Sequence, residues 1–213
     1  FDVRLKAENL QKTGSYKLRG PLNKFPQLTE EQRQRGVICS SAGNHAQGVA
    51  LAAAIHGMKA VVVMATNATP SKIEATRAYG AEVVLHGLIW DEANEKAKQL
   101  VEERGLTYIH PFDDLQLIAG QGTVGLEIME DWPEVDVVVV PIGGGGLISG
   151  ISLAAKSVNP RVRIIGVESS GAPGMQKSVA AGSVVTLDRV DCIIDGLRVK
   201  RVGSHNLDIV REN

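Results

Sequence analysis

The chain has 213 residues, 44 % of them hydrophobic and 22 % charged, with a formal net charge of -1. That balance is ordinary for a soluble globular protein with room for one large or two small cores. No Lys/Arg run exceeds a pair, so neither nucleic acid nor an anionic membrane is an expected partner. Cys39 and Cys192 stand far apart without a Cys-x-x-Cys spacing, which argues against a disulfide framework or a thiolate zinc site and for a reducing, cytoplasmic setting.

In chain order, the opening residues 1–6 read as the inside of a strand and carry no secretory signal pattern. Next comes Ser15-Tyr16-Lys17-Leu18-Arg19-Gly20, where Lys17 in isolation reads as a surface lysine on a short helix. A β-branched run at 36–39 leads into Ser40-Ser41-Ala42-Gly43-Asn44-His45, and a helical pattern covers 45–56 and stops at Gly57. Capping a helix needs one Ser, Thr, Asp or Asn; the surplus of small and polar residues here suggests capture of a carboxylate by helix N-H groups.

Strands follow at 60–64 and 82–85, with helices at 72–79 and 91–104 that end at Gly80 and Gly105. Residues 109–114 form a turn-rich break able to pass the chain from one sheet to another. Beyond it, residues 135–140 predict a strand, 147–158 a helix and 162–167 a further strand. The uncharged stretch 137–155 has nearly the length of a membrane span, but Pro141 and four glycines divide it, so no span is expected. Strands alternating with helices predict an α/β fold with parallel sheets covered on both faces. Ligands then sit beyond the carboxyl ends of the strands, and the loops at 40–45 and 143–146 are expected to face one another across a cleft.

Gly143, Gly144, Gly145 and Gly146 join the strand to the helix directly. Such a loop turns backbone N-H groups around a concave, positive space suited to phosphate. The glycines match neither the dinucleotide fingerprint nor the Walker A pattern. A lysine in a partly buried site can lose its proton and form an imine with an aldehyde. Phosphate, imine-forming lysine and carboxylate capture together specify pyridoxal phosphate acting on an amino acid.

The motifs Ser15-Tyr16-Lys17-Leu18-Arg19-Gly20, Ser41-Ala42-Gly43-Asn44-His45-Ala46-Gln47-Gly48, Ala119-Gly120-Gln121-Gly122-Thr123 and Pro141-Ile142-Gly143-Gly144-Gly145-Gly146-Leu147 resemble the threonine dehydratase and serine racemase group of fold type II pyridoxal phosphate enzymes. The resemblance runs over essentially the whole chain and ends with Asp195-Gly196. It implies two open, mainly parallel sheets with helices on both faces, divided into a large cofactor domain of residues 1–35 plus 114–213 and a small α/β domain of residues 36–113. Family members extend before Phe1 and after Asn213, so the resemblance also implies a piece of a longer enzyme that is a homo-oligomer.

By the same resemblance Lys17 holds the cofactor through an imine, Asn44 bonds its 3-hydroxyl, and Gly143, Gly144, Gly145, Gly146 and Leu147 hold its phosphate. Tyr16 lies beside the ring and Gly196 near its opposite edge, while Ser41, Ala42, Asn44 and His45 bound the substrate carboxylate. The implied activity is deamination of L-threonine or L-serine by loss of the α-proton and the β-hydroxyl. Racemases of the group resemble one another in a Ser before Gly-Asn-His and a divalent-metal site after the next strand's Glu. Ala42 and Gly174 stand at those positions here, favouring elimination and no divalent metal. An amino-acid racemase, or a fragment that binds cofactor without catalysis, are the alternatives.

Overall fold

The structure, a computed structural model, describes residues 2–213. It divides into two compact units, Ala7–Pro111 and Phe112–Asn213, the latter with the described residues before Ala7. The division falls inside the turn-rich segment 109–114. Residues 7–35, which the sequence reading grouped with 114–213, lie in the first unit, where α1 (Arg19–Lys24) and the turn before it pack on α3 (Asn44–Ile55).

The first unit is built on four parallel strands: β1 (Val37–Ser40), β2 (Ala60–Met64), β3 (Glu82–Leu85) and β4 (Thr107–Tyr108), in the order β3-β2-β1-β4. β1 and β2 are buried along their whole length, because helices cover both faces of the sheet centre. On one face Ile38, Val61 and Val63 pack with Ala93, Ala97 and Leu100 of α5 (Trp90–Arg104). α3 supplies further cover with Val49, Ala50, Ala52 and Ala53, small side chains that let it lie close to the strands. Each fully buried aliphatic side chain here contributes about 1.5 to 3 kcal/mol of transfer free energy. α2 (Glu30–Arg35) begins with a capping box between Thr29 and Gln32, and α4 (Pro70–Ala78) has proline in its first turn.

The second unit contains a parallel pair, β5 (Val137–Pro141) and β6 (Arg163–Val167), flanked by α6 (Leu115–Asp131), α7 (Gly146–Val158), α8 (Gly174–Ala181) and α9 (Ser204–Glu212). Val138 and Val140 are buried, whereas Val139, Ile165 and Val167 are exposed at 61 %, 39 % and 48 %. Among the described residues this pair is thus covered on one face. Alternate side chains face opposite ways on a strand, and among the described residues only one face of β5 and β6 has helices against it.

α6 was not anticipated from the sequence, since Gly120, Gly122 and Gly125 each cost about 1 kcal/mol in a helix relative to alanine. Packing overrides that cost: α6 lies along α7, with Gly122 and Gly125 facing the backbone of Gly150 and Ile151. Its start is fixed by Asp114, whose carboxylate accepts from the N-H groups of Gln116 and Leu117 at 3.0 Å each. The opening residues also depart from expectation. Phe1 lies outside the described residues, and residues 2–7 form no strand. Lys6 instead pairs with Glu127 at 2.9 Å and Asp131 at 3.2 Å, carboxylates one helical turn apart on α6. Among the described residues no helix is long and apolar enough to cross a membrane.

Candidate functional site

Lys17 sits in a single 3-10 turn, Tyr16–Leu18, which Ser15 caps by accepting the Lys17 N-H at 3.3 Å. Thr13 steadies the turn from below, its hydroxyl donating to the Ser15 carbonyl at 3.4 Å. The Lys17 side chain is half-buried. Its Nζ donates to the Pro111 carbonyl at 2.7 Å and stands 5.4 Å from the Tyr16 ring centre. Among the described residues no carboxylate pairs with it. Burial without a counter-charge disfavours the ammonium form and pulls its pKa from 10.5 down to about 8. Burial pushes the neighbouring Tyr16 phenol up to about 12, so it stays protonated at neutral pH.

The loop at 40–45 leaves the carboxyl end of β1 and opens α3, whose N-cap Gly43 offers no side-chain cap. Ser41 holds the loop instead: its N-H donates to the Val63 carbonyl at 3.2 Å, and its Oγ accepts from the Gly43 N-H at 3.2 Å. The first-turn N-H groups of α3 thus lack a capping side chain, which makes an anion site. Asn44 is exposed at this helix start, and Ala42 offers no side-chain proton.

His45 behaves differently from the expected carboxylate ligand. Its ring is 3 % exposed and lies 3.1 Å through Nε2 from the Ile109 carbonyl, which can only accept. Nε2 therefore carries the hydrogen, and Nδ1 is a buried acceptor with no partner. Burial first, and the nearby Lys17 charge second, pull the imidazole pKa down to about 3. A neutral ring spent on Ile109 leaves the backbone N-H of His45 as its donor to an anion.

Lys17 and His45 are held to the same short segment, at Pro111 and Ile109. Their approach depends on Gly48: a β-carbon there would stand 2.6 Å from the Lys17 carbonyl oxygen. Gly48 ends the motif that begins at Ser41, and its steric role becomes visible only in the fold. The Ile109 and Pro111 carbonyls were missed altogether, since backbone acceptors carry no side-chain signal.

In the second unit, the glycine loop joins β5 to α7. Gly145 is the N-cap with φ +100°, a conformation that L side chains rarely adopt, and α7 has no side-chain cap. Every glycine of the run is closely backed. A β-carbon on Gly143 would meet the Gly196 carbonyl at 2.6 Å, and one on Gly144 the Phe112 ring at 2.3 Å. One on Gly145 would meet Asn206 Cβ at 2.7 Å, and one on Gly146 the Phe112 carbonyl at 2.9 Å. The outer wall of the loop is thus occupied by protein. Leu147 is half-buried in the first turn of α7, and Gly196 sits directly behind Gly143.

Glu168 caps a helix, its two carboxylate oxygens accepting from the N-H groups of Met175 and Gln176 at 2.8 Å each. Among the described residues no group of three or more His, Cys, Asp or Glu could hold a metal ion. Asn206 and Asp113, which brace the glycine loop, carried no sequence signal.

Known proteins resemble this chain in sequence and fold. The chain is 53 % identical over 211 residues to an L-threonine ammonia-lyase of Thermotoga maritima, matching 99 % of this chain and 53 % of that protein. It is 49 % identical over 211 residues to a catabolic L-threonine dehydratase of Escherichia coli, matching 99 % of this chain and 64 % of that one. The processed form of threonine deaminase isoform 2 from Solanum lycopersicum superposes with a TM-score of 0.95 at 45 % identity, over 97 % of this chain and 60 % of that one. A serine racemase from maize superposes with a TM-score of 0.92 at 42 % identity, over 96 % and 62 %. The chain thus spans between about half and two thirds of the length of these relatives. The model of the pyridoxal-phosphate dependent enzyme family matches residues 1–213, and the chain belongs to that family.

Proposed function

We propose that this chain is the cofactor-binding part of a pyridoxal phosphate-dependent L-threonine ammonia-lyase that also accepts L-serine. The observation that carries the reading is Lys17, an uncompensated amine with its pKa lowered to about 8, in a chain 53 % and 49 % identical to proteins named for this reaction. The residues present fit the cofactor. They supply an amine neutral enough to join an aldehyde, and a glycine loop whose helix has no side-chain cap for its N-H groups.

When bound, pyridoxal phosphate supplies an aldehyde for the substrate amine and a ring that takes up the electrons left on Cα. Lys17 would hold it, with the N-H groups of residues 143–147 on the phosphate, Asn44 on the 3-hydroxyl, Tyr16 beside the ring and Gly196 near its far edge. The substrate carboxylate would rest on the α3 N-terminus, held by Ser41, Asn44 and the backbone of His45, with Ala42 at its edge. Lys17 Nζ would take the α-proton of the substrate, and the ammonium so formed would return a proton to the β-hydroxyl, which leaves as water. The enamine product then hydrolyses to a 2-oxo acid and ammonia. Proton transfer needs the neutral amine, and the desolvated pocket around Lys17 favours that form.

Ala42 supports elimination over racemisation, since inversion at Cα needs a second proton donor on the opposite face and alanine has none. The racemase reading keeps some support from the maize serine racemase at a TM-score of 0.92. Incubating the cofactor-loaded protein with L-threonine and L-serine separates the two. We expect 2-oxo acid without enantiomer formation, and loss of the visible imine band in Lys17→Ala. Enantiomer without 2-oxo acid would overturn the lyase assignment. The free, buried Cys39 and Cys192 suit a reducing cytoplasm, and we extend the reading to a cytoplasmic homo-oligomer acting on a small amino acid.

A further inference from the structure

We propose that Asn206 is a positioning residue for the phosphate loop, orienting the peptide between Gly144 and Gly145 from behind; the proposal rests on the cofactor reading above. Asn206 lies in the first turn of α9 and is completely buried. Its amide nitrogen donates to two carbonyl oxygens, Gly144 at 2.9 Å and Phe112 at 3.0 Å. Both neighbours are pure acceptors, so the NH2 end of the side chain must face them, and the opposite atom, Oδ1, is buried without a partner. An amide whose acceptor goes unsatisfied is kept where its two donors matter.

The Gly144 carbonyl also accepts from the Gly203 N-H at 3.0 Å. Two donors on one oxygen fix the plane of that peptide. In a trans peptide the N-H points opposite to the C=O, and no described peptide bond is cis. The Gly145 N-H is therefore turned away from Asn206, to the side of the loop that its backing residues leave open. At φ +100° Gly145 has no side chain of its own to hold it there, and behind it stand Asn206 and Met175, so the hydrogen bonds that orient the peptide come from Asn206 and Gly203.

Asn206 is itself anchored. The Ser149 hydroxyl donates to its carbonyl at 3.4 Å from α7. Asp113 accepts from the Ser204 N-H at 3.0 Å, the Ser204 hydroxyl at 3.1 Å and the His205 N-H at 3.0 Å, pinning the start of α9 beside Phe112. Asparagine suits the position because its amide carries two donors. Aspartate would set a charge against two carbonyl oxygens, and leucine would remove both of these bonds.

The test is equilibrium binding of pyridoxal phosphate and of pyridoxal, which lacks the phosphate, to the cofactor-free protein and its Asn206→Asp and Asn206→Ser variants. Circular dichroism and melting temperature check the fold, and Ser157→Ala, which removes an exposed hydroxyl near the far end of α7, serves as a control that leaves Asn206 and its anchors in place. We expect the variants to bind pyridoxal phosphate at least tenfold more weakly while pyridoxal binding changes less than twofold. The 31P resonance of bound cofactor should also shift in the variants and hold in Ser157→Ala. Equal weakening for both ligands, or no weakening in Asn206→Ser, the milder change, would overturn the positioning role. A wild-type protein that binds the two ligands equally would instead overturn the phosphate-loop reading itself.

Discussion

Gly48 lies so close to Lys17 that a β-carbon on it would stand 2.6 Å from the Lys17 carbonyl oxygen and 2.8 Å from the carbonyl carbon. Alanine in a helix is ordinarily better than glycine by about 1 kcal/mol. Here the obstacle is backbone, which cannot swing aside, and overpacking of this kind costs about 1 to 3 kcal/mol. Gly48→Ala is therefore expected to destabilise on balance, by about 1 kcal/mol in a urea titration. Because α3 and the Lys17 turn must part, imine formation should slow at least tenfold while inorganic phosphate still competes for the glycine loop.

The lowered Lys17 pKa sets a pH dependence. With a pKa of about 8, about one amine in ten is neutral at pH 7; an exposed lysine near 10.5 has about one in three thousand. Imine formation with added pyridoxal phosphate, followed by absorbance, should rise with pH and level off above about 8. A rate still climbing tenfold per unit beyond pH 9 would show that the pocket does not depress the pKa. Stability follows from the same shift. Between about 8 and 10.5 the unfolded chain binds a proton that the folded one does not, so folding is favoured as pH rises through that window. Lys17→Met should thus stabilise the cofactor-free protein at pH 7, with the gain shrinking toward pH 10.

Much of this was open to reading in the sequence, for identifiable reasons. Val61, Val62 and Val63 form a run suited to a doubly covered strand, and it is buried throughout. Gly143, Gly144, Gly145 and Gly146 exceed what a turn needs, and they form the uncapped start of α7. α6 escaped because two of its glycines, Gly122 and Gly125, serve contacts with α7 that lie far away in sequence. The exposure of Val139 and Val167 escaped because a β-branched run looks the same whether one or both faces are covered. Asn206 escaped for a related reason: its partners are carbonyl oxygens at Phe112 and Gly144, and no residue type announces a carbonyl.

His45 gives a second pH effect, opposite in range. Its folded pKa of about 3 lies below the ordinary 6.5. From pH 6.5 downward the unfolded chain takes up a proton that the folded ring refuses, so stability falls as the medium becomes more acid. The group's share of that loss should reach about 3 kcal/mol by pH 4.5. His45→Gln keeps a donor for the Ile109 carbonyl but cannot titrate. Its denaturation midpoint should fall less steeply than the wild type between pH 7 and 4.5, and parallel curves would count against a buried neutral imidazole.

Gly145 and Gly182 offer a matched pair for the cost of the glycine loop. Both have positive φ, +100° and +69°, but a β-carbon on Gly182 would meet nothing within 4 Å. Gly182→Ala should therefore lose only the backbone term, about 1 kcal/mol, and leave cofactor binding intact. On Gly145 the β-carbon would stand 2.7 Å from Asn206 Cβ and 2.8 Å from Met175 Cε. Met175 ends in a flexible methyl and can yield. Asn206 cannot, because its nitrogen is committed to Gly144 and Phe112. Adding overpacking of about 1 to 3 kcal/mol to the backbone term, Gly145→Ala should cost about 2 to 4 kcal/mol. It should also bind pyridoxal phosphate no more tightly than pyridoxal, since the N-H groups can no longer converge. If the two alanine variants lost equal stability in urea, with unchanged denaturant slopes, the contact with Asn206 would carry no weight in holding the loop.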